Sequence, residues 1–156
     1  SELRRVLPAI LPLIDEFVGF FRGGLFADEH VQRLAAAAVL VEHKDDRVIN
    51  PLLAMILDPE EAQWNVLALC AAQFGAAVGK PALSRVSIDD TSTERIIYLL
   101  TAIESVSPGT LDALANDVAS GSVQDCIEAA RTNRDTFDAS FMELSFEERV
   151  DQLLSF

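Results

Sequence analysis

Helix-start signals recur along this chain at short intervals, whereas period-two alternation of apolar and polar residues is short and rare. That contrast constrains the fold more than any other feature, because the two periodicities bury different faces and cannot be exchanged. Asp58-Pro59-Glu60-Glu61 reads as an N-cap, a proline at the first helical position and an acid three residues past the cap. Asn50-Pro51 and Ser107-Pro108 repeat the cap–proline pair. Thr91 to Glu94 ("TSTE") and Ser145 to Glu148 ("SFEE") are capping boxes, in which a hydroxyl and a glutamate satisfy orphan N–H groups reciprocally. Gly75, Gly79 and Gly121 stand where helices are expected to stop. The spacing predicts helices over 12–22, 28–43, 48–57, 59–75, 92–106, 108–120, 122–140 and 145–155. The interval 76–91 reads as a short helix from Pro81 followed by a loop. The expected fold class is all-α.

The helices recur in pairs. "FADEHVQRLAAAAVLVEHKDDRVINPLLAMI" (26–56) and "LDPEEAQWNVLALCAAQFGAAVGKPALSRV" (57–86) share one plan. Each has an acidic start, a long alanine- and leucine-rich helix, a polar or glycine break, and a proline before a second apolar helix. Pro51 and Pro81 stand thirty residues apart, and Thr91 to Leu114 forms a shorter third copy. A helical pair of this size cannot bury its own apolar face, so neighbouring pairs stack and share a core. The pattern resembles HEAT-type α-helical repeats, most clearly over "DDRVINPLLAMILDPEEAQWNVLALCAAQFG" (45–75). It departs from them in its short period and in lacking a basic residue late in each second helix. The resemblance implies stacked antiparallel helical hairpins, a short α–α superhelix, with 26–114 as the repeat-like core. Residues 1–25 and 115–156 would then cap a single domain spanning 1–156. The alternative is one irregular helical bundle whose helices look alike through shared amphipathicity.

Composition bounds the function. At 156 residues, half of them hydrophobic, the chain is long enough to bury a core without disulfides or metals. Twelve basic residues against 25 acidic ones give a net charge of −13. Such a chain repels phosphate backbones, which argues against nucleic acid as a partner; the acidity either steers a basic protein partner or serves only to keep a hydrophobic chain soluble. The acids are concentrated late: ten lie between Asp112 and Phe156, opposed by Arg131, Arg134 and Arg149 alone. The expected partner-binding residues are therefore Asp125, Glu128, Asp135, Asp138, Glu143, Glu147 and Glu148. Cys70 and Cys126 are too few for a disulfide framework, and Cys70 within "VLALCAAQF" reads as a small buried hydrophobe. A reducing cytoplasm is expected. The apolar run "VLPAILPLIDEFVGFF" is interrupted by Pro8, Pro12, Asp15 and Glu16, so no membrane span is expected there.

Catalytic and metal-binding patterns are sparse. His30 and His43, thirteen residues apart, have neither an HExxH frame nor a cysteine–histidine cluster around them. Glu42, His43, Asp45 and Asp46 read as a solvated turn. "FGAAVGK" (74–80) lacks the spacer, the Ser/Thr after lysine and the preceding strand of a phosphate loop. Trp64 is expected in the core, and Phe137, Phe141, Phe146 and Phe156 in the last hairpin. No enzyme activity, metal or cofactor is expected. Small acidic bacterial immunity proteins resemble this chain in type, which implies an inhibitor that binds a basic toxin or nuclease. The alternative is a structural adaptor or an assembly domain of a larger helical-repeat protein.

Overall fold

A computed structural model describes residues 46–86, 90–117, 121–137 and 140–145, together with Ala37, Val39, Val41 and Glu148. All regular structure among them is helical. Six α-helices follow in order: α1 (Ile49–Leu57), α2 (Trp64–Ala71), α3 (Ala76–Leu83), α4 (Asp90–Val106), α5 (Thr110–Asn116) and α6 (Gly121–Asn133). Three-ten turns stand at Asp46–Val48, Ala72–Phe74, Arg134–Thr136 and Ser140–Glu143. The all-α expectation is borne out. The predicted helix at 12–22 lies outside the described residues; of 28–43, Ala37, Val39 and Val41 are helical and buried.

Helix α4 organises the packing. It contacts each of the other five helices, and from Leu99 through Glu104 no residue reaches the surface. Its polar residues in that stretch, Thr101 and Glu104, are hydrogen-bonded within the protein, as buried polar groups must be. Its Ile96, Leu99, Leu100 and Ile103 join Leu52, Leu53 and Ile56 of α1, Leu67 of α2 and Leu111 of α5 as the largest fully buried side chains. Burying each contributes about 1.5–3 kcal/mol, against roughly 0–1 kcal/mol for an exposed ion pair, so this core dominates the surface charges in holding the fold. Contacts also run in two rows. Helices α2, α4 and α6 adjoin in succession, and α1, α3 and α5 do the same, with cross-contacts α1–α2, α3–α4, α4–α5 and α5–α6.

Several boundaries differ from the expected ones, each for a visible reason. Asp58-Pro59-Glu60-Glu61 caps a turn, and α2 begins only at Trp64. The Glu60 N–H donates to Asp58 Oδ1 at 3.0 Å, and the Gln63 N–H to the buried Glu61 Oε2 at 3.1 Å. Pro59 O, which a helix would offer to Gln63, accepts Arg95 instead at 3.5 Å. Asn50 lies inside α1, where its side-chain oxygen accepts from Arg85 at 3.4 Å; the cap position falls to Val48. Gly75 does terminate a helix, with φ 60°, and also starts the next by accepting the N–H groups of Val78 (3.2 Å) and Gly79 (3.0 Å).

Gly79 is not a stop. It is buried within α3, and a Cβ there would come 2.8 Å from Leu114 Cδ1, so the absent side chain lets α3 approach α5 closely. Pro81 also lies inside α3, not at its start, and Gly121 opens α6. The capping box at 145–148 forms as read. The Glu148 N–H donates to Ser145 Oγ at 3.2 Å, and the Ser145 N–H to Glu148 Oε1 at 3.3 Å.

Candidate partner-binding surface

Helix α6 presents the acids because its apolar residues face inward. Cys126, Ile127 and Ala130 are buried, which at 100° per residue turns Asp125 and Glu128 to solvent. Their surroundings differ. Arg131 donates to Glu128 Oε2 at 3.1 Å and to Asp112 Oδ1 on α5 at 2.6 Å, tying two of the acids together. Its hydrogen bond to Glu128 raises the Arg131 pKa; desolvation opposes this, and the Asp112 charge adds to the rise. Asp125 has no ion pair among the described residues and lies one turn before Ala129 and two before Asn133 on one stripe. Asp135 is exposed, 3.8 Å from Arg134. Glu143 is exposed on the Ser140–Glu143 turn, which packs against α2, away from α6 in sequence. Glu148 is exposed too, but its carboxylate serves the capping box. Asp138 and Glu147 lie outside the described residues.

Sequence reasoning missed the neighbouring cleft. Between α2, α4 and the end of α6 lies an open cavity of about 500 Å³ lined by Trp64, Glu94, Ile97, Tyr98, Thr101, Ala129, Asn133, Thr136 and Phe137. Trp64 is half-buried and not in the core; its ring meets Tyr98 edge-on, centroids 5.2 Å apart, and Tyr98 meets Phe137 in the same way at 5.3 Å. The Arg95 guanidinium stands 5.0 Å from the Trp64 centroid while donating to Ile56 O (2.8 Å) and Asp58 O (2.5 Å). The signal that was available is the 94–98–101 stripe on α4, which holds the only tyrosine. A second cavity of about 520 Å³ lies between α3, α5 and α6, rimmed by the exposed Lys80–Asp117 pair at 3.7 Å.

Chemically, both cavities are suited to holding groups. The Thr101 hydroxyl donates to Ile97 O at 2.7 Å and that of Thr136 to Asn133 O at 3.2 Å, so neither is poised beside a base. The Cys126 thiol is pushed up by burial first and by the Asp125 charge second, which disfavours the thiolate, the reactive form. Among the described residues no group of three His, Cys, Asp or Glu side chains is placed to hold a metal ion. No described helix is long and apolar enough to cross a membrane. Comparison of the chain with protein-family models, with curated proteins and with solved structures finds no match.

Proposed function

We propose that the chain is a non-catalytic protein-binding module of stacked helical hairpins, and that it acts in the cytoplasm as an inhibitor of the immunity type against a basic toxin or nuclease. The observation that carries this reading is the outward projection of Asp125, Glu128 and Asp135 along α6 and the turn after it. Glu128 is joined through Arg131 to Asp112 on α5, Asp135 lies beside Arg134, and Asp117 just past α5 pairs with Lys80, which leaves Asp125 as the acid of this face without an ion pair among the described residues. Carboxylates held at intervals on a rigid helix mimic the charge of a phosphate backbone and so compete for a nuclease groove. Their field, in a chain of net charge −13, steers a basic partner at long range. The two rows of helices support the hairpin reading, since adjacent units of a helical array touch first helix to first and second to second.

The test is affinity capture from native lysate with low- and high-salt washes, alongside a variant carrying Asp125→Asn, Glu128→Gln, Asp135→Asn and Asp138→Asn. A single basic protein that is released by salt, and that the folded variant fails to retain, is the expected result. Capture that survives both salt and the substitutions would overturn the charged-face reading in favour of an assembly role using the apolar ends of the array.

A further inference from the structure

We infer that the aromatic cleft between α2, α4 and α6 receives a single cationic side chain, an arginine guanidinium or a lysine ammonium, presented by the partner. The inference rests on the reading of that partner as basic. Four observations point to a cation. The walls hold three aromatic rings in edge-to-face contact, Trp64–Tyr98 at 76° and Tyr98–Phe137 at 65° between planes. Ring faces are negative and attract cations. Among the described residues, the only charged group of the lining is the Glu94 carboxylate, which is exposed and has no ion pair. The C-terminal end of α6, where the helix dipole is negative, meets the cleft at Asn133, and the turn after it does so at Thr136. Finally, Asp125 continues the Ala129–Asn133 stripe and extends the negative field along the approach.

Two nearby cations argue the other way: Arg134, exposed beside Asn133 and held 3.8 Å from Asp135, and Arg95. The Arg95 guanidinium is buried and committed to the carbonyl oxygens of Ile56, Asp58 and Pro59, so it stands behind Trp64 and does not line the cleft. It also shows that this aromatic row accommodates a guanidinium on a ring face at 5.0 Å. The incoming cation then takes the Tyr98 side, one helical turn from Glu94 on α4. An anion would meet Glu94, Asp125 and the net charge of −13, and a neutral apolar group would leave the carboxylate uncompensated. A cavity of about 500 Å³ lies within the roughly 300–1,000 Å³ of small-ligand sites and is ample for one side chain.

Trp64 is the only tryptophan, so its indole N–H is a unique reporter of the cleft. The experiment titrates the full chain with N-acetyl-arginine methylamide and, separately, with the citrulline analogue, which has the same shape and no charge, following the Trp64 indole and Ala129 amide NMR signals. The expected result is a saturable shift with the arginine probe and an affinity about tenfold weaker for citrulline. Glu94→Gln should weaken the arginine probe by about tenfold, and Asn133→Arg, which places a tethered cation at the rim, should block it. Both sites are exposed, and the same spectra report whether each variant is folded. Equal response to the two probes, no shift at Trp64, or an unchanged affinity in folded Glu94→Gln would overturn the inference. No partner protein is needed, so its failure is separable from that of the partner reading. A silent cleft beside salt-sensitive capture sinks only the cleft, and a responsive cleft without any captured protein sinks only the partner.

Discussion

Arg95 ties three helices together. It leaves α4, is only 8% exposed, and donates to three carbonyl oxygens at and beyond the end of α1 while stacking on Trp64 of α2. A cation at a helix C-terminus complements the negative dipole end, and charge-assisted hydrogen bonds contribute about 1.5–3 kcal/mol. A lysine keeps the charge but lacks the planar fork that reaches several acceptors at once. Arg95→Lys is expected to lower unfolding free energy by about 2–3 kcal/mol in urea melts; stability within experimental error of the parent would show that these bonds contribute little.

Cys126 carries a pH consequence at the same scale. Burial and the Asp125 charge both raise its pKa in the folded state above that of the unfolded chain. The unfolded chain therefore loses this proton first as pH rises. Stability contributed by the protonated thiol is complete below the unfolded value, about 8.5, and declines as pH climbs toward the higher folded one. The difference in stability between the parent and Cys126→Ala should be constant from pH 6 to 8 and shrink above about pH 9. A difference that stays flat to pH 10 would contradict the shift.

At the scale of elements, α5 is a short helix held by its predecessor. The sequence places its cap at Ser107, ahead of Pro108, yet the residue that serves is Glu104, 4% exposed in the last turns of α4. Its Oε1 accepts the Gly109 N–H at 2.5 Å and its Oε2 the Leu111 N–H at 3.0 Å, while Gly109 turns with φ 94°. Two oxygens on two orphan donors are something a carboxylate can supply and an amide cannot. Glu104→Gln should cost about 1–2 kcal/mol, read by thermal melts, and speed exchange of the Leu111 amide; unaltered exchange would mean that α5 is held by packing through Leu111 and Leu114 alone. The capping glutamate was illegible beforehand because it precedes the helix it caps by a whole turn of chain. Gly79 was misread for a similar reason. Its meaning as a contact point exists only when Leu114 is brought against it.

For the whole molecule, charge and core pull in opposite directions. The net charge of −13 disfavours compaction, while the buried leucines and isoleucines around α4 drive it. Screening by salt should therefore stabilise the fold. Between 10 and 200 mM NaCl the Debye length falls from about 30 Å to under 10 Å, and Tm is expected to rise by about 2–5 °C. A Tm that falls instead would indicate that attractive pairs such as Arg131–Asp112 outweigh the repulsion.

The sequence alone determined the helical class, the burial of Cys70, the capping box at Ser145–Glu148 and the stop at Gly75. Each rests on groups within a few residues of one another, where periodicity and local hydrogen bonds decide the outcome. Tertiary structure alone decided where α2 begins, what caps α5, why position 79 has no side chain, and that Trp64, Tyr98 and Phe137 wall one cleft beside Glu94. Those features join residues up to seventy-three positions apart, across helices whose relative placement follows from burying their apolar faces together. No local pattern encodes that distance.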